Sequence, residues 1–156
     1  MREDWGPLGT GQDGMAFANL GQRSVPRLLV VDDDTLHRMI ICRIAARAGY
    51  APAGAATYDE AAQLVHEKAF DCITLDLALG AHAGTEMLHH LSVIDCRTPI
   101  IVISGCDDST RVESVKLAKS LGLNVWESTR KPVDLTMLRL WLERLKTGRD
   151  AAAVAA

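Results

Sequence analysis

Several polar side chains that could act together in one reaction stand at the ends of short apolar segments of this sequence. They are Asp32, Asp33, Asp76, Ser104 and Lys131. Three carboxylates, a hydroxyl and an ammonium group supply what phosphoryl transfer to a carboxylate requires: an oxygen nucleophile, oxygen ligands for a metal and a cation that balances charge. Asp76 ends the short, mostly apolar segment that starts at Phe70. We predict that Asp76 is the nucleophile and accepts the phosphoryl group.

The crowding of carboxylates predicts a metal ion. Two unit charges about 4 Å apart repel each other by roughly 4 kcal/mol at an effective dielectric constant of about 20. Lys131 offsets one of the charges, and a divalent cation offsets the others. Hard carboxylate oxygens favour Mg²⁺, which keeps several water ligands, so two carboxylates and one backbone carbonyl suffice to hold it. Ser104 is then expected to hydrogen-bond a phosphoryl oxygen.

The elements that must position these residues follow a repeated strand-then-helix pattern. The predicted strands are 28–31, 50–55, 70–76, 100–104 and 123–127, and the predicted helices are 35–48, 57–68, 85–94, 110–121 and 134–147. Helix starts are predicted at the capping residues Thr57, Thr110 and Asp134. Pro52 places the second strand toward a sheet edge. We predict an α/β fold, a five-stranded parallel sheet with helices on both faces, whose strands all end at the edge where the polar residues would gather.

The ends of the chain differ from its centre in composition. Residues 1–25 are rich in glycine and are expected to be a disordered arm, residues 26–147 one folded domain, and residues 148–156 a disordered tail. The four cysteines form no CxxC pair, which argues against a metal-binding or redox motif.

Charge and hydropathy exclude several classes of function. The formal net charge is −3, with 48% hydrophobic residues, so no general attraction to nucleic acid or anionic membrane is expected. The N-terminus lacks the basic start and apolar centre of a secretion signal, and no apolar run is long enough to span a bilayer. We therefore expect a cytoplasmic protein.

Four short motifs occur in a familiar order. They are Val30-Val-Asp-Asp33, Ile73-Thr-Leu-Asp76 with Gly84 eight residues on, Ile101-Val-Ile-Ser-Gly105, and Lys131-Pro132. Over roughly residues 26–147 the chain resembles the receiver domain of two-component response regulators, and among these the stand-alone, chemotaxis-regulator-like members. The resemblance implies a flavodoxin-like (βα)5 fold.

The resemblance also implies a role for each residue of the cluster. Asp76 is the expected phosphoacceptor, which attacks a phosphohistidine, and Asp32 and Asp33 are the expected Mg²⁺-binding pair, with Asp33 the more direct ligand. The backbone carbonyl of Ala78 is the third expected protein ligand. The expected role of Ser104 is that of the switch hydroxyl, that of Lys131 is phosphoryl binding, and the Lys131–Pro132 peptide bond is a candidate for the cis form.

The partners that the resemblance implies are a sensor histidine kinase or a histidine phosphotransfer protein, and a downstream protein target. The expected interaction surface is residues 108–147, through which a homodimer is also possible. We expect no direct DNA binding, no membrane partner and no turnover enzyme, because a receiver is phosphorylated and dephosphorylated rather than acting repeatedly on a substrate.

Three positions depart from the family pattern. Gly80 stands four residues after the phosphoacceptor, where proline is common, and a more mobile loop is one expected consequence. Ala78 offers no side chain to guide or block an attacking water, so an altered lifetime of the acyl phosphate is expected. Ser128 stands where many receivers have Tyr or Phe, so the usual coupling to output is in doubt.

Two other functions remain open at this point. A metal-dependent phosphatase of the haloacid dehalogenase type also uses acidic residues at strand ends, but its motif would require Thr or Val at position 36, where Leu36 stands after Asp32-x-Asp34. A pseudo-receiver that keeps the fold only as a binding module is the second alternative, since Ser128 breaks the usual pattern.

Overall fold

The computed structural model describes residues 24–80 and 82–155, so most of the predicted N-terminal arm lies outside the described residues. The strands are β1 Arg27–Val31, β2 Ala51–Ala55, β3 Cys72–Leu75, β4 Ala78–Leu79, β5 His82–Ala83, β6 Ile100–Ser104 and β7 Val125–Arg130. The helices are α1 Thr35–Arg47, α2 Tyr58–Glu67, α3 Gly84–Val93, α4 Asp108–Ser120 and α5 Leu135–Ala155.

The main sheet has five strands in the order β2-β1-β3-β6-β7, and every neighbouring pair is parallel. The predicted fold class is therefore confirmed. The strand that contains Pro52 lies at the edge, as expected for a residue without a backbone N–H. The antiparallel hairpin of β4 and β5, which the sequence analysis did not predict, lies between β3 and α3.

Alternating residues of the central strands face opposite layers of helices. Leu29, Ile73 and Val102 belong to the core formed with α2, α3 and α4, whereas Val30 and Ile101 belong to the core formed with α1 and α5. Because both faces are covered, the strands are continuous apolar runs rather than alternating ones. This explains why the apolar segments of the sequence end abruptly in charged residues at the sheet edge.

Strand register places the acidic residues side by side. Val31 pairs with Leu75 in the parallel ladder of β1 and β3, and the Asp76 amide donates to the Val31 carbonyl at 2.9 Å. Asp32 and Asp76 therefore leave adjacent strands at the same level. On the other side, β7 extends to Arg130 rather than ending near residue 127, and it pairs Arg130 with Ser104.

Two of the three predicted helix caps are confirmed. Thr57 accepts from the Glu60 amide at 3.1 Å, and Asp134 accepts from the Met137 amide at 3.1 Å. The prediction of Thr110 as a cap is wrong, because Asp107 accepts from the Thr110 amide at 2.7 Å and α4 begins at Asp108. Capping by Asp107 places the helix cap three residues earlier than predicted and leaves Thr110 inside the first turn of the helix.

The last helix is longer than the sequence analysis expected. Instead of ending near residue 147, α5 continues through Ala155, so most of the tail from residue 148 is helical. Alanine has the highest intrinsic helix propensity and dominates residues 151–155. Arg149 adds tertiary contacts, since it pairs with Asp71 at 3.0 Å and donates to the Ser24 carbonyl at 2.9 Å.

Candidate functional site

Asp76 lies at the carboxyl end of β3 as a buried, hydrogen-bonded carboxylate. Its side chain is 3% exposed. The Ala78 amide donates to Oδ1 at 3.0 Å, and the Lys131 ammonium donates to Oδ2 at 2.8 Å. The carboxylate is thus held by one backbone donor and one cation from a distant part of the chain.

Asp32 and Asp33 lie beside Asp76 at the end of β1. Asp32 is buried, and its carboxylate is 3.1 Å from the Lys131 ammonium. Asp33 is exposed and accepts from the Gly80 amide at 3.1 Å, which connects the hairpin after β3 to the end of β1. The structure therefore brings together the three acids and the lysine that the sequence analysis selected.

The geometry of these acids fits a divalent cation. Asp32, Asp33 and Asp76 each offer one oxygen, and these oxygens all lie within 4.8 Å of one another. Three carboxylates and one ammonium leave the cluster with two uncompensated negative charges. All the donors are hard oxygens, which is the donor set that Mg²⁺ prefers. Whether the carbonyl of Ala78 completes the ligand set stays a prediction.

Burial and partners change the proton affinities at this site. Burial raises the pKa of Asp76 above its usual value, although the hydrogen bonds from Lys131 and Ala78 act in the opposite direction. Burial by itself would lower the pKa of Lys131, but the hydrogen bonds and charges of Asp76 and Asp32 outweigh it and leave that pKa raised. Lys131 is therefore positively charged throughout the physiological pH range.

The raised pKa of Asp76 predicts a pH-dependent cost in stability for the metal-free protein. A native state that binds a proton more tightly than the unfolded state loses stability as pH rises from the unfolded pKa, near 3.8, to the higher folded pKa. We expect Asp76→Asn, measured in EDTA, to raise the free energy of unfolding at pH 7 and to change it little near pH 3.5. Urea unfolding at both pH values tests this, and a variant that is less stable than wild type at pH 7 would contradict it.

Ser104 is buried at the end of β6, next to the lysine. The Lys131 amide donates to the Ser104 carbonyl at 2.9 Å, so main-chain pairing fixes the two residues as neighbours. The Ser104 hydroxyl donates to Cys106 Sγ at 2.9 Å and accepts from the Cys106 amide at 3.2 Å. A role of this hydroxyl toward a phosphoryl group would require it to leave Cys106.

Comparison with known proteins agrees with this arrangement. The sequence pattern of the family described as response regulator receiver domain matches residues 28–143. The chain belongs to the response regulator receiver domain family.

Two relatives and a solved structure show how close the similarity is. The chain is 34% identical over 92 residues to the chemotaxis protein CheY of Thermotoga maritima, over 58% of this chain and 77% of that protein. It is 28% identical over 116 residues to the transcriptional regulatory protein ZraR of Klebsiella oxytoca, over 74% of this chain but only 25% of that protein. A crystal structure of a response regulator from Colwellia psychrerythraea superimposes with a TM-score of 0.70 at 28% identity, over 80% of this chain and 98% of that one.

Family membership assigns this receiver to two-component signalling. Receiver domains are generally not turnover enzymes. No helix in the described ranges 24–80 and 82–155 has the length and apolar composition needed to cross a membrane. Asp34, the second acid of the motif that the phosphatase alternative would need, accepts from the His37 amide at 2.8 Å as the cap of α1.

The structure explains why glycine rather than proline stands at position 80, four residues after Asp76. Gly80 has φ of +59°, in the left-handed region, and it lies in the turn of the hairpin of β4 and β5. Its amide also donates to Asp33. Proline has φ fixed near about −65° and no backbone N–H, so it could provide neither feature. The Lys131–Pro132 peptide bond is cis, as predicted.

Ser128 has an unexpected partner in this receiver. Arg111, on α4, donates from Nη1 to the Ser128 hydroxyl on β7 at 2.8 Å. The arginine side chain is only 17% exposed, and Nη2 also pairs with Asp108 at 3.1 Å. A guanidinium therefore links α4 to β7 at the position where many receivers have an aromatic ring.

This link predicts a measurable contribution of Ser128 to stability. Ser128→Ala would leave a half-buried guanidinium N–H without its acceptor, and we expect a loss of about 1 kcal/mol in the free energy of unfolding. Ser120→Ala is the control, because the Ser120 hydroxyl donates to the Leu117 carbonyl on the exposed side of α4 and its loss is expected to cost less than about 0.5 kcal/mol. Equal urea midpoints for the two variants would show that the hydrogen bond between Arg111 and Ser128 does not contribute to the free energy of unfolding.

The sequence analysis missed one residue that touches the acidic cluster. His37 lies in the first turn of α1 and contacts the Asp32 carboxylate through Nδ1. A helical side chain points back toward the N-terminus of its helix, and α1 begins directly after the Asp32–Asp34 run. That direction was the signal in the sequence that could have identified His37.

Proposed function

We propose that this receiver accepts a phosphoryl group on Asp76 from the phosphohistidine of a sensor histidine kinase or a histidine phosphotransfer protein. Mg²⁺ would be held by Asp33 and Asp76, with Asp32 and the carbonyl of Ala78 completing the site. The observation that carries the proposal is the position of the Asp76 carboxylate. It is buried beside two further acids whose oxygens lie within 4.8 Å, and it is 2.8 Å from the Lys131 ammonium.

The residues divide the chemistry between them. An Asp76 oxygen attacks the phosphorus, the new O–P bond forms as the N–P bond of the phosphohistidine breaks, and the electron pair stays on the imidazole nitrogen of the donor. Lys131 would supply a fixed positive charge next to the phosphoryl oxygens. The Ser104 hydroxyl, at the end of the strand between β3 and β7, would donate to one of these oxygens once it leaves Cys106. A bound divalent cation supplies neutralisation of the charge on the transferred group.

The experiment that tests the proposal is phosphorylation by a small donor. The purified protein is incubated with acetyl phosphate and Mg²⁺, and its intact mass is measured. We expect one phosphoryl adduct that depends on Mg²⁺ and does not form in EDTA. A receiver that stays unmodified in the presence of Mg²⁺, or that is modified equally well in EDTA, would favour the pseudo-receiver alternative.

Mg²⁺ binding is also expected to stabilise the folded receiver. The acidic cluster exists only in the native state, so a free ion concentration ten times the dissociation constant would add about 1.4 kcal/mol, or about 3–5 °C in the melting temperature. Thermal unfolding in Mg²⁺ and in NaCl of the same ionic strength separates specific binding from charge screening. Asp33→Asn should lose the shift that is specific to Mg²⁺, and a shift that survives this substitution would contradict the ion site.

Output is proposed to pass through the surface formed by α4, β7 and α5, within residues 108–147, to a downstream protein or to a second copy of the chain. Large apolar side chains are exposed on both helices of this surface. They are Val112, Leu135, Met137 and Leu140. Apolar side chains that the fold leaves in solvent are consistent with a protein partner.

A further inference from the structure

The His37 side chain lies against the acidic cluster. Its Nδ1 contacts Oδ2 of Asp32, and its side chain is only 16% exposed. The other ring nitrogen, Nε2, is buried and has no hydrogen-bond partner among the described residues. The polar contact of this imidazole is therefore the Asp32 carboxylate.

The contact holds one specific oxygen of Asp32. A carboxylate only accepts hydrogen bonds, so His37 donates from Nδ1. Oδ2 of Asp32 is also 3.1 Å from the Lys131 ammonium, whereas Oδ1 accepts from the Asp34 amide at 2.9 Å and from Lys131 at 3.2 Å. Lys131 thus contacts both oxygens of Asp32, whereas His37 contacts only Oδ2.

The other side chains that donate to Asp32 are less specific for its carboxylate. Lys131 is shared with Asp76, where it makes its shortest contact at 2.8 Å, and the attack on a phosphoryl group would engage it further. Arg38 donates to the Asp32 carbonyl at 2.8 Å and so fixes the main chain rather than the side chain. His37 is thus the side-chain donor that Asp32 shares with no other acid of the cluster.

We propose that His37 is a positioning residue that fixes the Asp32 carboxylate for binding of the divalent cation. The proposal rests on the Mg²⁺ site of the proposed function and assigns to this chain a residue that determines how well the site binds. Hydrogen-bond partners of acidic metal ligands typically contribute a factor of about 10–100 in metal affinity, because an unsupported carboxylate samples orientations that do not serve the ion.

The test compares three substitutions in Mg²⁺ titrations by isothermal calorimetry, all in one buffer at one pH. His37→Asn places an amide nitrogen near the position of Nδ1, His37→Gln places it farther out, near the position of Nε2, and His37→Leu fills the space without a donor. We expect the dissociation constant to rise about tenfold in the Leu and Gln variants and to stay within about twofold of wild type in the Asn variant. Thermal unfolding in EDTA shows that each variant is folded.

The outcomes separate this inference from the function on which it rests. If wild type binds Mg²⁺ and all three variants bind it equally well, His37 only packs against the site and the inference is wrong. An equal loss in all three variants, Asn included, would show that the imidazole acts through its shape and would also overturn the inference. If wild type binds no Mg²⁺, the ion site of the proposed function fails and the inference fails with it.

Discussion

An Asp76→Asn receiver is expected to take up no phosphoryl group, with the loss complete to the detection limit of intact mass measurement. The amide that replaces the carboxylate is not a nucleophile toward phosphorus, and it removes one of the three acids whose oxygens lie within 4.8 Å. Both effects act on the reacting atoms themselves. The variant should nevertheless fold, because its side chain keeps the shape of the original and an acceptor for the Ala78 amide.

The matched control is Asp71→Asn at the opposite end of the same strand. Asp71 accepts from the Arg27 amide at 2.8 Å and pairs with Arg149 at 3.0 Å, so it is also a bound carboxylate next to β3. It lies at the edge of the sheet where no catalysis is proposed, and its amide variant should be phosphorylated like wild type. An adduct in Asp76→Asn would refute Asp76 as the acceptor, and the absence of an adduct in Asp71→Asn would show that the loss of phosphorylation is not specific to Asp76.

Gly84→Ala is expected to have the largest effect on stability, a loss of about 1–3 kcal/mol in the free energy of unfolding. A Cβ atom at this position would lie 2.4 Å from the Leu77 Cα and 2.5 Å from the Leu77 carbonyl oxygen. These are backbone atoms, which cannot rotate away, and the Gly84 amide already donates to that carbonyl at 2.7 Å. Because Leu77 follows Asp76 directly, the displaced backbone should also slow phosphorylation.

Gly148→Ala provides a control with the opposite sign. Gly148 lies inside α5, and a Cβ atom built there meets nothing within 4 Å. Alanine stabilises a helix interior by about 0.8–1 kcal/mol relative to glycine, so this variant should be more stable than wild type. Urea unfolding of both variants tests the pair. If Gly84→Ala and Gly148→Ala have comparable free energies of unfolding, the backbone around Leu77 can shift to accommodate the added Cβ atom at little cost.

The sequence by itself determined the order of the elements and the residues that meet at the sheet edge. The mostly apolar runs at 28–31, 72–75 and 100–103 are local signals, since a strand covered on both faces is expected to be mostly apolar. The parallel arrangement follows from the alternation with helices, and it requires that Asp32, Asp76 and Lys131 end at one edge. None of these inferences depends on how individual side chains pack.

The sequence predicted the ends of the helices and strands less accurately than their order. The end of β7 at Arg130 follows from pairing with Ser104, whereas the start of α4 follows from capping of the Thr110 amide by the nearby Asp107. The hairpin of β4 and β5 is stabilised in part by the contact of Gly80 with Asp33, which lies 47 residues earlier. The end of β7 and the hairpin each depend on a partner outside the local sequence window.

Only the tertiary structure decided which side chains surround the predicted acids. The contact of His37 with Asp32 depends on the direction in which α1 leaves the sheet, and the contact of Arg111 with Ser128 depends on how α4 packs against β7. Such contacts are set by the relative positions of elements packed against one core, whereas residue type and local periodicity describe one element at a time. The chain therefore shows in its sequence where the chemistry is expected, and only in its fold which residues support it.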